Sequence, residues 1–293
     1  MPITDLLAPE EPECLVTGFQ FTEGPVWHPD GYLLFSDIPA NRIYRWSPEQ
    51  GLALFREPSG YANGLTLDQQ GRLLACEHGN RRVSRTEADG QVVTLADRYQ
   101  GRRLNSPNDI IVKSDGAIYF TDPPYGLGPT EQQELPFQGV FRLSPDGTLT
   151  LLADDFDRPN GLAFSPDETI LYVSDSNRDH VRAFDVQADG TLTRGRVLAE
   201  MRLPGYYAMG HRRRVNVNVP DGMKVDMEGN LYVTGPGGLW LFRPDGTEVG
   251  LLVLPEFPAN CAWGDADRRS LYITARTSLY RVRCRVPGAP ALP

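Results

Sequence analysis

Residues 160–168 read Asn-Gly-Leu-Ala-Phe-Ser-Pro-Asp-Glu, and their register occurs six times along the chain. In each copy a short polar residue stands eight positions before a turn, and a strand-like run follows that turn. The six polar residues, which are all carboxylates or carboxamides, are Glu23, Asn63, Asn108, Asn160, Asp221 and Asn260. If the copies are arranged around an axis, these side chains form a ring of oxygen donors at one end of it.

The spacing of the copies predicts the fold. Successive turns lie 40, 45, 52, 61 and 39 residues apart, which is the range of propeller blades rather than of helical hairpin repeats. Mostly β-branched, aromatic or leucine residues follow each turn, as in 32–37 and 270–275, and helical periodicity is nearly absent. We therefore predict one all-β domain over residues 1–293, a six-bladed β-propeller with four antiparallel strands per blade.

Two other all-β folds fit the repeat less well. A stack of β-sandwiches would not require the same polar residue at the head of every copy, and a β-helix has much shorter rungs. In a propeller the first strand of each blade lines the central channel, so the residue that heads it points at the axis. A strand around Leu15-Val16-Thr17 is predicted to complete the last blade and close the ring, with residues 1–12 and 286–293 as terminal tails.

The bulk composition excludes several classes of partner. With 40% hydrophobic and 23% charged residues the chain has the composition of a soluble globular protein, and its net charge of −9 repels nucleic acid and anionic lipid. No apolar stretch approaches the roughly 20 residues of a membrane helix, and the N-terminus shows no secretory signal pattern. We expect a cytoplasmic protein, monomeric or weakly homo-oligomeric, without nucleic-acid or membrane partners.

The four cysteines lack the paired spacing of zinc or redox sites. They are expected to be reduced thiols, although a closed ring would bring Cys14 and Cys284 together near the chain ends, which leaves a disulfide as an alternative.

The six recurring polar residues predict a metal site. Asn-Gly and Asp-Gly are ordinary turn pairs, and this interpretation is the main alternative, but it does not explain Glu23 or the choice of two acids and four amides at one register. The two formal charges of Glu23 and Asp221 would balance a divalent cation. Oxygen donors favour hard cations, so Ca²⁺ is expected first, with Mg²⁺, Mn²⁺, Zn²⁺ or Fe²⁺ as alternatives.

Four stretches also carry a resemblance to a known family. They are Glu-Gly-Pro-Val-Trp at 23–27, Leu-Asn-Ser-Pro-Asn-Asp at 104–109, Arg-Pro-Asn-Gly-Leu-Ala-Phe-Ser-Pro-Asp at 158–167 and Pro-Asp-Gly-Met at 220–223. With them the chain resembles the senescence marker protein/gluconolactonase family from about Cys14 onward, and residues 76–83 and 121–126 resemble its bacterial sugar-lactonase branch. The resemblance implies one catalytic divalent metal in a six-bladed propeller, with ligands at Glu23, Asn160 and Asp221 and a substrate-contacting asparagine at Asn108.

Other substrate contacts are less defined by the sequence. Animal members of the family carry Arg-x-Asn-Asp where this chain has residues 104–109 without an arginine, so the nearby Asn105, Arg102 and Arg103 become candidates. His78, which follows a second strand at the predicted rim, is either a substrate contact or proton shuttle, or a histidine bonded within the rim.

Two insertions are predicted to reach the same rim. Residues 123–137 are either a lid, with Tyr125 stacking on a sugar ring, or a long loop without function. Residues 201–220 form the second insertion.

The sequence and the resemblance together predict a metal-dependent hydrolase that opens sugar lactones such as gluconolactone. In this hypothesis water attacks a metal-polarised lactone carbonyl, with Asp221 as general base. The chain has no Gly-x-Ser-x-Gly elbow, His-Glu-x-x-His motif or phosphate loop. The alternatives are a phosphotriesterase or arylesterase that uses the same metal, and a non-catalytic propeller that binds protein partners around a structural cation.

Overall fold

Six four-stranded antiparallel sheets, each corresponding to one copy of the repeat, make up the computed structural model, which describes residues 2–203 and 219–290. The inner strands of neighbouring sheets pack against one another around an axis. The predicted six-bladed β-propeller is therefore confirmed. Most of the insertion at 201–220 lies outside the described residues.

The ring is closed by a strand from the beginning of the chain. The first strand, β1 (Glu13–Thr17), is the outermost strand of a sheet whose other members come from the end of the chain. This arrangement confirms the predicted closure at Leu15-Val16-Thr17.

Blade 1 then contains β2 (Thr22–His28), β3 (Tyr32–Asp37), β4 (Arg42–Ser47) and β5 (Gly51–Arg56). Blade 2 contains β6 (Ala62–Leu67), β7 (Leu73–Glu77), β8 (Arg82–Thr86) and β9 (Val92–Ala96).

A short hairpin precedes the third blade and consists of β10 (Arg98–Tyr99) and β11 (Arg102–Arg103). Blade 3 contains β12 (Ile110–Val112), β13 (Ile118–Asp122), β14 (Gly139–Leu143) and β15 (Leu149–Ala153). Blade 4 contains β16 (Pro159–Phe164), β17 (Ile170–Asp175), β18 (His180–Val186) and β19 (Leu192–Glu200). Blade 5 contains β20 (Met223–Val225), β21 (Leu231–Gly235), β22 (Gly238–Phe242) and β23 (Glu248–Leu252). Blade 6 contains β24 (Pro258–Gly264), β25 (Ser270–Ala275), β26 (Ser278–Arg283) and β1.

Each predicted turn between the first and second strands of a blade has left-handed backbone at the expected residue. The six residues with positive φ are Gly31, Gly71, Gly116, Glu168, Gly229 and Arg268. Glycine adopts this conformation without steric cost, which explains its presence in four copies. Glu168 and Arg268 adopt it as well, at φ 57° and 52°, so the turn survives in the two copies that lack glycine.

The hydrophobic core lies between adjacent blades rather than on the axis. One cluster, for example, joins Leu34 and Ile43 of blade 1 to Leu65 and Ala75 of blade 2. Burying each such aliphatic side chain stabilises the folded protein by about 1.5–3 kcal/mol. Because the apolar side chains pack between blades, the polar residues at the starts of the inner strands line the axis.

The N-terminal segment predicted as a tail packs against the propeller. Ile3–Asp5 form a 3-10 helix, Leu6 and Leu7 are buried in the core, and Leu7 forms an antiparallel bridge with Cys284. Cys14 instead pairs in register with Tyr280. All four cysteines are free thiols, so the alternative disulfide between Cys14 and Cys284 is not formed. Across residues 2–203 and 219–290, no helix has the length and apolar character to cross a membrane.

Candidate active site

The inner strands bend where the recurring polar residues stand. In blades 1, 2, 4 and 6 the pairing with the second strand shifts register around Glu23, Asn63, Asn160 and Asn260. Such a β-bulge redirects the side chain at its head. All six polar residues, including Asn108 and Asp221 just ahead of β12 and β20, are at most 8% exposed. We call these six residues the polar ring.

The glycines that follow four members of the polar ring are contact positions between blades. A Cβ at Gly161 would lie 2.2 Å from the carbonyl oxygen of Asp221 in the next blade, and one at Gly24 would lie 2.0 Å from that of Asn63. Gly64 and Gly222 are equally crowded by the next members of the ring. The Asn-Gly and Asp-Gly pairs are therefore not turns, because glycine is required here for close packing of adjacent inner strands.

Three asparagines form one side of the polar ring, which we call the amide arc. Asn63 Nδ2 donates to Asn108 Oδ1 at 2.7 Å, and Asn108 Nδ2 donates to Asn160 Oδ1 at 2.7 Å. Asn160 Nδ2 continues the chain to Ser176 Oγ at 3.1 Å. The three amides thus hold one another in a fixed orientation. Asn63 Oδ1 is buried without a hydrogen-bond partner among the described residues and is an acceptor available to a bound group.

Three carboxylates form the other side, the carboxylate arc: Glu23, Asp109 and Asp221. The amide of Asn260 donates to Glu23 Oε2 at 3.1 Å and to Asp109 Oδ2 at 3.4 Å, which places these two acids side by side. Asp109 has the same buried position as the ring residues, with 3% exposure. The sequence pattern assigned no role to Asp109, although this residue directly follows Asn108 in one of the quoted motifs.

The carboxylates of this arc repel one another. Burial, followed by the charge of Asp109, raises the pKa of Glu23 to about 7, although the Gly24 N–H and Asn260 oppose the change. Burial, followed by the charges of Glu23 and Asp109, raises the pKa of Asp221 well above its usual range. Burial also raises the pKa of Asp109, against the opposing charge of Lys224. None of the three acids forms an ion pair within the described part of the chain.

These side chains fit a divalent cation. Two buried carboxylates, Glu23 and Asp221, repel each other and have no salt-bridge partner among residues 2–203 and 219–290, and the Asn160 amide hydrogen-bonds Asp221. A cation would offset both the burial and the repulsion that raise the pKa values of Glu23 and Asp221. No three His, Cys, Asp or Glu side chains within 2–203 and 219–290 converge as a complete set of metal ligands. A cation held here would use amide oxygens as well, leaving coordination positions open.

His78 borders the amide arc. Its Nε2 lies 3.4 Å from Asn63 Nδ2, and burial lowers the pKa of His78 to about 4, so that the imidazole is neutral at pH 7. Gly126 of the 123–137 insertion packs against the His78 side chain, since a Cβ at Gly126 would lie 2.5 Å from His78 Cβ. His78 is therefore both adjacent to the polar ring and covered by the insertion.

The insertion also carries Tyr125 to the polar ring. Ser106 anchors this segment, since its Oγ donates to Pro123 O at 2.6 Å and accepts from Gly126 N at 2.8 Å. Tyr125 is 36% exposed, and its hydroxyl interacts with Ser176 and the charge of Asp221. Burial, with the Asp221 charge adding, raises the pKa of Tyr125 to about 12. The predicted lid residue thus borders the carboxylate that was predicted as general base.

The other predicted substrate contacts lie farther from the ring. Arg103 donates through its backbone N–H to Glu134 and through its side chain to Asn80 O at 3.2 Å. Arg102 donates to Glu134 O at 3.2 Å. Asn105 is fully buried, and its Nδ2 donates to the carbonyls of Asp122 and Phe137. The structure shows these three residues attaching the ends of the 123–137 insertion to the adjoining hairpin and loop.

Acidic residues at the ends of the second strands fix the loops that lead into the ring. Asp37 accepts the backbone N–H of Phe21 at 3.0 Å, two residues before Glu23. Asp122 accepts the backbone N–H of Asn105 at 2.7 Å, and Asp175 accepts the backbone N–H of Asp157 at 2.9 Å. The function of these acids was not predicted from the sequence. The signal was available in their position, since each ends a second strand that returns to the start of an inner strand.

Comparison with known proteins gives the same family for nearly the whole chain. Residues 21–277 match the family model described as SMP-30/Gluconolactonase/LRE-like region. A gluconolactonase of Zymomonas mobilis is 38% identical over 94% of this chain and 82% of its own length. The pentonolactonase XacC of Haloferax volcanii is 30% identical over 88% of this chain and 82% of its own length.

Solved structures show the same fold. A gluconolactonase from Xanthomonas campestris superimposes with a TM-score of 0.86 at 36% identity, covering 96% of this chain and 92% of that one. A regucalcin from Agrobacterium tumefaciens, described as a calcium-binding protein, superimposes with a TM-score of 0.76 at 19% identity, covering 95% of each chain. By the extent of the family match and its relatives, this chain belongs to the SMP-30/gluconolactonase/LRE-like family.

Proposed function

We propose that this protein is a metal-dependent lactonase that hydrolyses sugar lactones of the aldonolactone type. The observation that carries the proposal is the carboxylate arc, in which Glu23 and Asp221 are buried and repel each other beside the amide arc at the head of the channel. The relatives named gluconolactonase and pentonolactonase support a lactone substrate. We also propose that the protein acts in the cytoplasm and as a monomer or weak homo-oligomer.

Glu23, Asn160 and Asp221 would hold the cation through their side-chain oxygens. When bound, the cation would polarise the lactone carbonyl and stabilise negative charge on its oxygen. Ca²⁺ is the first candidate because all donors are hard oxygens, and the structurally similar regucalcin of Agrobacterium tumefaciens is described as calcium-binding. Mg²⁺, Mn²⁺, Zn²⁺ and Fe²⁺ are the alternatives to be compared with it.

Asp221 is the proposed general base. It accepts a proton from the attacking water and lies at the junction of the two arcs, next to Asn160 and Tyr125. Asn108 is fixed by its hydrogen bonds to Asn63 and Asn160, so its amide is oriented to contact the substrate. Neutral His78 can hydrogen-bond a sugar hydroxyl as donor or acceptor. Tyr125 would cover the sugar ring from the insertion.

Asn105 and Arg103 enter the proposal as weaker substrate contacts, because both already bond to protein groups. Their proposed influence is to hold the 123–137 insertion over the substrate.

A substrate panel tests the proposed function. Chelator-treated protein would be resupplied with one cation at a time and assayed on D-glucono-1,5-lactone, an aryl ester and an organophosphate triester. We expect lactone hydrolysis that disappears with chelator and returns with a divalent cation. Faster turnover of the triester or the ester would support the alternative hydrolases. Binding of the cation with a rise in stability but no hydrolysis of any substrate would support a non-catalytic propeller.

A further inference from the structure

Two residues that each stand two positions before a ring asparagine have left-handed backbone although neither is glycine. They are Tyr61, at φ 56°, and Arg158, at φ 75°. This conformation is sterically unfavourable for a non-glycine residue, and it persists where the surrounding structure imposes it, often at functional sites. Of these two residues, Arg158 lies beside Tyr125, which in turn borders Asp221.

The backbone of Arg158 is held on both sides. Asp157 N donates to Asp175 Oδ2 at 2.9 Å, and Ser176 N donates to Arg158 O at 3.0 Å. Pro159 follows directly and restricts the conformation of the residue before it. The backbone on both sides of the Arg158 side chain is therefore fixed, in part by the same acid that fixes the loop into Asn160.

The guanidinium of Arg158 has hydrogen-bond donors to spare. Its Cζ lies 5.1 Å from the centroid of the Tyr125 ring, and within the described ranges its side chain makes no hydrogen bond or ion pair. Arg102 and Arg103, by contrast, donate to the carbonyls of Glu134 and Asn80, and Arg178 donates to that of Asp155. A guanidinium carries five N–H donors in a planar fork that suits paired oxygen acceptors.

Tyr125 relates this guanidinium to the polar ring. Its hydroxyl interacts with Ser176 and the charge of Asp221, while its ring face carries Arg158. A lactone whose carbonyl lies beside Asp221 would project the carbon chain outside its ring across Tyr125. The oxygen atoms on that chain would then come within reach of the guanidinium.

We infer that Arg158 is the substrate-recognition arginine of this channel mouth, and that it binds oxygen acceptors on the carbon chain outside the lactone ring. This inference rests on the proposed function and deepens it. The acceptors are either hydroxyls, as in an aldonolactone, or a terminal carboxylate, as in a lactone of an aldaric acid. Arg158 thereby sets the preference for polyhydroxylated over plain lactones.

The test compares Arg158→Met with wild type on D-glucono-1,5-lactone and on δ-valerolactone, which has no hydroxyl groups. Losing hydrogen bonds to a charged donor should lower kcat/KM for gluconolactone about 10- to 100-fold, mainly through KM, and leave that for δ-valerolactone unchanged. A glucaric acid lactone separates the two acceptors, since a larger loss on it indicates carboxylate recognition and an equal loss indicates hydroxyl recognition. Equal losses on gluconolactone and δ-valerolactone, or no loss on either, would overturn the inference.

Two further variants exclude a general structural effect. Tyr125→Phe keeps the ring under the guanidinium and should keep the preference, whereas Tyr125→Ala should weaken it. Arg196→Met is the matched control, because Arg196 lies on the outer strand β19 and its side chain, 47% exposed, pairs with Asp185 at 3.3 Å. It should leave both substrates unaffected.

A binding measurement separates this inference from the proposed function. Calorimetric titration of gluconate into wild type and Arg158→Met, both with Ca²⁺, reports recognition without turnover. Weaker binding by Arg158→Met supports the inference even if wild type hydrolyses none of the lactones, in which case the proposed function alone fails. Equal binding by the two proteins, including no binding by either, contradicts it.

Discussion

The amide arc and the carboxylate arc are both built from buried side chains at the head of the channel, yet they differ in how far their polar atoms are paired. In the amide arc Asn63 donates to Asn108, and Asn108 donates to Asn160, each at 2.7 Å. In the carboxylate arc burial and mutual repulsion raise the pKa values of Glu23 and Asp221. The amide arc is already stable without a ligand, whereas the carboxylate arc gains most from a bound cation.

This difference assigns separate tasks to the two halves of the ring. A hydrogen-bonded amide chain holds its groups in one orientation before any substrate arrives, which is what positioning a reactant requires. Buried carboxylates without a counter-charge store electrostatic repulsion, and a cation relieves it. Asn160 belongs to the amide arc and lies next to Asp221, so it joins positioning to cation binding.

The largest effect is expected from Asp221→Asn, which removes a charge from the carboxylate arc. We expect kcat/KM on gluconolactone to fall about 10²- to 10⁴-fold, the usual contribution of a general base. The melting temperature of the chelator-treated protein at pH 8 should rise, because one repelling charge is gone. Activity assays and thermal unfolding measure these two properties, and metal analysis establishes whether the cation is bound in the assay.

Asp245→Asn is the control for this variant, since Asp245 is an exposed acid in a turn of the same blade. Undiminished turnover by Asp221→Asn with metal bound would remove Asp221 from the role of base. A lower melting temperature without metal would contradict the repulsion assigned to the carboxylate arc.

A smaller effect is expected when the pH is lowered, because His78 borders the amide arc as a neutral group. Its pKa is lowered by burial to about 4 in the folded state, so the unfolded chain takes up a proton at higher pH than the folded one. The contribution of His78 to stability is complete above pH 6.5 and is lost as the pH falls toward 4, by up to about 3 kcal/mol. Urea unfolding between pH 7 and pH 4 measures it.

His78→Gln should flatten this pH dependence relative to wild type. An unchanged profile in the variant would show that His78 is readily protonated in the folded protein, and would remove the assignment of a neutral imidazole.

The smallest of the three effects is expected from Asn108→Ala, which interrupts the amide arc. Two hydrogen bonds are lost and two buried amide groups lose a partner, so the free energy of unfolding should fall by about 2–3 kcal/mol. The fall should be similar with and without Ca²⁺, unlike the opposite-signed change in Asp221→Asn. Urea unfolding measures both, with the exposed Gln91→Ala as control, and stabilisation by Asn108→Ala would contradict the difference between the arcs.

Most of the fold could be predicted from the sequence, because each blade repeats local rules. The second strands Tyr32–Asp37 and Ser270–Ala275 coincide with the predicted runs, since a left-handed turn followed by strand-forming residues is a local signal. The packing of Gly161 against Asp221 was not predictable. An Asn-Gly pair occurs both in turns and in close contacts between blades. Only the position of the neighbouring blade distinguishes the two.

The site was predictable to the extent that it depends on residue type and register. Glu23, Asn160 and Asp221 are recognisable as oxygen donors at one position of the repeat, whereas Asp109 stands one position beyond that register and was missed. Arg158 was missed because its significance lies in its left-handed backbone and its contact with Tyr125. Arg102 and Arg103 are nearer in sequence to residues 104–109, where animal members of the family carry an arginine, yet their donors already bond to Glu134 and to the carbonyl of Asn80.

The last blade is assembled from both ends of the chain, with β1 completing a sheet formed by β24, β25 and β26. During synthesis on the ribosome, therefore, the toroid cannot close until residue Arg283 has emerged. A chain that terminates early would expose the apolar side of blade 1 that faces the gap and would hold Glu23 without the Asn260 amide that bonds to it. Under the proposed function, binding of the cation would therefore have to follow completion of the last blade.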